Sequence, residues 1–352
     1  MIMEKRATKH LTLTGSPVAM GNQHGEALKF EIASLFEERM RLIIQSTGSS
    51  VDTIKRICLD IIKITSRILP DVYDEVVATS RSANIELWKL FLAGGYSDVL
   101  DRCAKINRTI VRSNECTISS TKLSNGCPLL IGTWDSHATA QDYLVLIERH
   151  PKGKPKGIAL STAGWPMQQG INEYGLGYAI ANMVSVNNAP GTSYICALVA
   201  LSEQRTANEA AALASNIPLC SARYYKFLDS DGVSRGIEHD GVRTYDVNGF
   251  AAHTNHFIST EGAVLEGRLG LVRESEGRRQ LMEERLSTKL TDVKDVFGVL
   301  SFRDPERFSI MKLGVDAEDR TCAAFVISPL DRTMWYTAGP PVETEIENVS
   351  IM

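Results

Sequence analysis

The chain has 352 residues, of which 43% are hydrophobic and 23% charged, with 38 Lys and Arg set against 42 Asp and Glu for a net charge of −4. So even a balance gives no footing to a nucleic-acid-binding surface, and the apolar share suits a packed core rather than a disordered chain. No run reaches the ~20 apolar residues of a membrane span, and the first ten residues hold no apolar stretch of signal type. A cytoplasmic location is therefore expected, with its 7 cysteines reduced.

In chain order, a strand is expected around Leu11–Thr14. From His24 to about Gln45, Leu28, Phe30, Ile32, Leu35, Phe36 and Leu42 recur at helical spacing. Residues 51–69 repeat the pattern with Ile54, Ile57, Cys58, Ile61 and Ile62, and Pro70 stops it. Shorter helices are expected over 71–81 and 85–93, the latter closed by Gly94-Gly95.

After about Val111, short β-rich runs alternate with turn residues: 116–123, 128–134, 143–150, 157–162, 176–183, 193–201, 242–247 and 321–328. Two helices interrupt them, one at the capping box Thr206 to Glu209 and one near Thr291. Helices grouped first and strands grouped later argue for an α+β sandwich rather than regular βαβ repeats.

Segment 116–135, CTISSTKLSNGCPLLIGTWD, is two β-like runs around Asn125-Gly126. Such a pair signals a tight hairpin. With Asn125 and Gly126 as the two central residues, Ser124 faces Cys127 and, counting outward, Cys116 faces Asp135. Opposed residues share a face of the sheet. Either Cys116 is a core cysteine with Asp135 capping a strand end, or the two form a reactive pair. A reactive thiol needs a proton acceptor, and Asp135 alone would raise its pKa. A histidine could serve, or the α-amine of Cys116 if the chain is cut before it.

These residues resemble the nucleophile hairpin of N-terminal nucleophile (Ntn) hydrolases. The closer resemblance is to the acyl-coenzyme A:6-aminopenicillanic acid acyltransferase and carcinine hydrolase group, the C45 type of self-processing cysteine amidases. The matching segments run in order: Gly15-Ser16-Pro17, Gly21 and His24-Gly25; Cys116-Thr117; Trp134-Asp135; GINEYGLGYAIANM at 170–183; TANEAAALASNIPLCSARYYKFLDSDG at 206–232; HTNHF at 253–257; and GPP at 339–341.

The resemblance implies a single domain over 1–352, a four-layer αββα sandwich with a mainly helical N-terminal segment. It implies a precursor that cuts itself between Glu115 and Cys116 into fragments 1–115 and 116–352, which stay associated. Cys116 becomes the nucleophile, its new amine the base, and Asp135 the support for that amine. Asn255 would donate to the oxyanion, Asn172 would share that role, and Arg278, in Ser275-x-x-Arg278, would anchor Cys116 or a substrate carboxylate. Trp134, Trp165, Tyr174 and Ser221 are the expected substrate-binding residues. The reaction is attack on a small linear amide, with the acyl group passed to water or an amine. No cofactor and no membrane or nucleic-acid partner is implied. Acyl-coenzyme A enters only as a co-substrate, and a homo-oligomer is compatible. His253 and His256 would diverge on a strand, so no metal is expected.

The chain departs from the family pattern in three places. Position 115 is Glu where the fungal acyltransferase has Gly, Thr133 stands where Asn is frequent, and Gly132 replaces the Arg of bile-salt-hydrolase-like relatives. Glu115 motivates a second reading, an unprocessed ligand-binding homologue. A metal-assisted hydrolase built on His253 and His256 is a third.

Overall fold

The computed structural model describes residues 8–110, 116–187, 189–247, 249–267, 270–304, 307–315 and 319–351. Strand β1 (Lys9–Gly15) leads into helix α1 (Pro17–Thr47). Gly15 turns the chain at φ +113°, the Ser16 hydroxyl accepts from Ala19 N at 3.2 Å, and Pro17 opens the first turn. The Gly15-Ser16-Pro17 motif is therefore a helix start: a cap, followed by a residue whose missing N–H is not needed there. Next come α2 (Val51–Ile68), α3 (Pro70–Ser82), α4 (Leu87–Gly94) and α5 (Tyr96–Asn107).

Gly21 and Gly25 let α1 lie against α3. A Cβ on Gly21 would fall 2.1 Å from the Glu75 carbonyl oxygen, and one on Gly25 2.3 Å from the Thr79 carbonyl oxygen. Between them, buried His24 accepts from Gly164 N at 3.0 Å, pinning the 163–168 loop to α1. Burial first, then the Arg149 charge, lowers its pKa to about 3, so it is neutral and can accept.

The β-rich part forms two sheets. Strands β2 (Thr117–Lys122), β3 (Pro128–His137), β4 (Leu144–Pro151), β5 (Gly157–Thr162), β6 (Gln169–Asn172) and β7 (Gly177–Asn182) come first. Helices α6 (Tyr194–Ser202) and α7 (Ala207–Ala214) intervene, then β8 (Arg223–Leu228), β9 (Ser234–His239) and β10 (Thr244–Val247). Helices α8 (Thr260–Ala263), α9 (Val272–Leu286) and α10 (Val293–Leu300) precede β11 (Asp319–Ser328), β12 (Thr333–Thr337) and β13 (Glu347–Ser350). One sheet runs β1-β4-β5-β6-β7-β8-β9-β10, and the other β13-β12-β11-β3-β2.

Three buried clusters define the layers. The largest joins α1–α7 to one face of the eight-stranded sheet, through Ile32, Phe91 and Leu198 against Val145, Tyr225 and Phe227. The second lies between the sheets, with Leu130, Trp134 and Phe325 meeting Leu146, Ile171 and Tyr224. The third joins the outer face of the five-stranded sheet to α9 and α10, through Ile131 and Val326 against Met282 and Phe297. The order helix, sheet, sheet, helix is the expected αββα sandwich.

Two expectations are corrected here. Residues 193–201 were expected as a strand, but they form α6. A short apolar run cannot separate a buried strand from a buried helix by periodicity, and this helix is buried almost all round. The second correction concerns the β2–β3 hairpin. Gly126 takes φ +87°, but Asn125 is not left-handed. Gly126 N donates to Leu123 O at 2.8 Å and Leu123 N to Cys127 O at 3.0 Å, closing a three-residue loop with Gly as the bulge. Thr117 then pairs with Thr133, one residue away from the two-residue-turn register. A one-residue slip exchanges the faces of a strand. Cys116 consequently aligns with Trp134 and faces the inter-sheet core, whereas Asp135 follows Thr133 onto the face toward α9.

Candidate active site

Cys116 immediately precedes β2 and is 3% exposed. Burial, and then the Asp135 charge, push its thiol up to about 12. Opposing them are the backbone N–H groups of Asp135 and Asn182, which hydrogen-bond the sulfur, and the Arg278 charge. The thiol thus sits among donors that favour a thiolate, in surroundings too dry to let one form unaided. Asp135 is fully buried, its carboxylate accepting from Thr321 Oγ1 at 2.7 Å and Thr133 Oγ1 at 3.4 Å. Burial raises its pKa to about 7, against the Thr321 bond and the Arg278 and Lys312 charges.

The HTNHF segment crosses to β2 through paired bonds between Ile118 and His253. Ser275 and Arg278, three residues apart on α9, face it together. Ser275 Oγ accepts from Asn255 N at 2.8 Å and meets His256 Nδ1 at 2.7 Å. One turn on, the Arg278 guanidinium, 0% exposed, donates to Cys116 O at 2.9 Å, Thr117 Oγ1 at 3.0 Å and Asn255 Oδ1 at 2.7 Å. Asn255 Nδ2 donates to Asn182 O at 2.9 Å. Cys116, Asn255 and Arg278 are brought together, whereas Asp135 reaches the Cys116 sulfur only through its backbone N–H, its carboxylate lying on the other face of the sheet with Thr133 and Thr321. The histidines serve packing: His253 stacks on Tyr224 at 3.7 Å and bonds Glu238 at 2.8 Å, and burial holds His256 neutral, its pKa lowered to about 3. Among the described residues no group of three or more His, Cys, Asp or Glu is arranged for a metal.

Other expected residues lie elsewhere. Asn172 is spent in a turn after β6: its Nδ2 donates to Ser202 O and Gln204 O, and its Oδ1 accepts from Tyr174 N and Leu176 N. Trp165 is core, edge-on to Phe91 and bonded to Leu90 O at 3.2 Å. Tyr174 is half-buried beneath the Arg205 guanidinium, 4.2 Å away. Ser221 stands behind the site, bonded to Asp98. Glu115 lies outside the described residues.

The cleft beside Cys116 is about 20 Å³ and is lined by Trp134, as expected, together with Gln168, Gln169, Asn182, Tyr194 and Arg223. These five were not singled out. Asn182 closes the very strand that Asn172 precedes, and only the turn accounting separates the two. Arg223 donates to Asp98 Oδ1 and Ser97 Oγ, each at 2.8 Å, and also contacts Asn182.

The chain matches the family model described as acyl-coenzyme A:6-aminopenicillanic acid acyl-transferase over residues 123–343. The acyl-coenzyme A:6-aminopenicillanic-acid-acyltransferase 40 kDa form of Emericella nidulans is 22% identical over 285 residues, 79% of this chain and 77% of that protein. Among solved structures, penicillin V acylase from Agrobacterium tumefaciens aligns at 14% identity with a TM-score of 0.46, over 67% of this chain and 86% of its own. A variant of conjugated bile acid hydrolase from Clostridium perfringens aligns at 17% identity with a TM-score of 0.43, over 67% and 92%. The family model spans more than half of the chain, so this chain belongs to the acyl-coenzyme A:6-aminopenicillanic acid acyl-transferase family.

Proposed function

We propose that the chain cuts itself between Glu115 and Cys116 and then acts as a cysteine amidohydrolase or acyltransferase on a small linear amide. Family membership supports the general reaction. The observation that carries the finer reading is the backbone of Asn182, whose N–H reaches the Cys116 sulfur while its C=O receives the Asn255 amide. Nucleophile and oxyanion donor are held within one residue of each other.

In processing, the Cys116 sulfur attacks the Glu115 carbonyl carbon. The thiol proton passes to the departing Cys116 nitrogen as the C–N bond breaks, leaving a thioester and a free α-amine, and water then hydrolyses the thioester to the Glu115 carboxylate and the free thiol. Burial pushes the uncut thiol up to about 12, far from a thiolate at neutral pH. The new amine, with an ordinary pKa of ~7.7–8.0, supplies the missing base. In turnover the amine takes the thiol proton and the sulfur attacks the substrate carbonyl. Asn255 holds the oxyanion, and the ammonium returns the proton to the leaving amine. The Cys116 thioester then passes its acyl group to water or to an amine. Acyl-coenzyme A would enter as a thioester donor of that acyl group, and no resident cofactor is invoked.

Denaturing electrophoresis with N-terminal sequencing should find two fragments, the second beginning at Cys116. Cys116→Ala should stay intact and inactive. A wild-type chain that remains whole on prolonged incubation would sink the processing step.

A further inference from the structure

Asp98 lies in the first turn of α5, fully buried behind the cleft that flanks Cys116. One of its carboxylate oxygens accepts from Ser193 Oγ at 2.6 Å and Tyr194 N at 3.2 Å. The other accepts from Arg223 Nη2 at 2.8 Å and from Ser221 Oγ. Each of these donors lies beyond residue 115, and Asp98 lies before it. The carboxylate therefore ties the N-terminal helical layer to the part of the chain that carries Cys116. Asp101, one turn on, brings a second carboxylate to Arg223, at 3.5 Å.

These bonds hold one wall of the cleft, where Ser97, Asn182, Tyr194 and Arg223 are lining residues. Arg223 opens β8 directly opposite Asn182, the last residue of β7. Its guanidinium, 1% exposed, donates to the Asn182 side-chain oxygen, to Ala222 O and to Ser97 Oγ. Asn182 in turn presents its backbone N–H to the Cys116 sulfur and its C=O to the Asn255 amide. A continuous path thus runs from Asp98 through Arg223 and Asn182 to Cys116 and Asn255. Its first link is a charged pair, and a guanidinium fork fixes direction as well as distance. Removing the Asp98 charge leaves a buried cation short of compensation, with its fork free to re-aim.

We propose that Asp98 is a positioning residue for the reaction at Cys116, acting through Arg223 on Asn182. The N-terminal fragment is then a working part of the active site after the cut, not a spent leader. This rests on the proposed role of Cys116.

The test uses the full chain and two readouts, each taken below the melting transition. One is the rate at which fresh precursor cuts itself. The other is steady-state hydrolysis of 4-nitrophenyl acetate per cut chain, less the Cys116→Ala background. Asp98→Asn should slow cutting and lower kcat for the ester roughly 10- to 100-fold with KM held, as expected for a misplaced reacting group. Arg223→Lys keeps a buried charge beside Asp98 but cannot span Asp98 and Asn182 together, so it should show the same loss. The double variant should lose no more than the worse single one, because both break one path. Glu75→Gln breaks another buried pair across the same junction, Glu75 with Arg149, neither of which lines the cleft, and should leave both rates near wild type. A folded Asp98→Asn or Arg223→Lys chain at the wild-type rate overturns the proposal. So does an equal loss in Glu75→Gln, or losses that multiply in the double variant. If Asp98→Asn does not fold, Asp98→Glu, which keeps the charge but moves the carboxylate, takes its place under the same criteria. A wild type that neither cuts itself nor hydrolyses the ester sinks the reading of Cys116 and this inference with it, a result distinct from wild-type activity that Asp98→Asn leaves intact.

Discussion

Lys226 offers a quantitative test of how the sandwich is built. It lies mid-strand in β8, paired with Ala179 on one side and Gly236 on the other. It alternates with Tyr225 and Phe227, which face the helical layer, and so points between the sheets with Tyr224 and Leu228. Its side chain is 0% exposed and its Nζ has no partner. Burial alone lowers its pKa from 10.5 to about 7. That lowering corresponds to about 5 kcal/mol of preference for the neutral amine. Between about pH 7 and 10.5 the unfolded chain binds more protons than the folded one, so stability rises with pH across this window. Lys226→Met keeps the volume and removes the charge. By this linkage the variant should exceed the wild type by about 4–5 kcal/mol at pH 6.5, with the gap narrowing to about 1–2 kcal/mol at pH 9.5. Urea unfolding of both proteins at the two pH values measures it. A gap independent of pH, or a methionine variant less stable at pH 6.5, refutes the reasoning.

Arg278→Lys should lower turnover by ~10²–10³, because an ammonium cannot hold Cys116 O, Thr117 Oγ1 and Asn255 Oδ1 together; steady-state kinetics at unchanged thermal stability checks this. Asp135 has a folded pKa raised from 3.8 to about 7, so the folded state holds the extra proton and stability falls as pH rises through that interval. Asp135→Asn should therefore stabilise the uncut chain at pH 8 relative to pH 5 while impairing processing, as seen by thermal unfolding and gel analysis at both values. Gly94→Ala would place a Cβ 1.2 Å from Trp165 Nε1, and should destabilise by ~3 kcal/mol or more in a denaturant titration.

Much of the architecture is legible in periodicity: β1, α1–α4, α7 and most strands fall where spacing and caps place them. The failures have local causes. In α6 every turn is buried, so no polar face marks the helical period. In the hairpin the dipeptide Asn125-Gly126 is compatible with two turns, and Asn125 Oδ1 accepting from Cys127 N at 2.9 Å accompanies the three-residue one. That three-residue loop has a large consequence. It sends the Asp135 carboxylate to the far side of the sheet and leaves its backbone N–H at the Cys116 sulfur. The two residues expected as a face-to-face pair are instead coupled through the strand itself. Motif order places Cys116 and Asp135 on neighbouring strands, whereas side-chain direction depends on a turn geometry that dipeptide identity does not determine. The same limit separates Asn172 from Asn182. Both are polar residues at strand ends, and the difference lies in whether the turn after the strand consumes the amide. The residues of the candidate site are therefore legible in the sequence as neighbours, and their arrangement only from where their hydrogen bonds go.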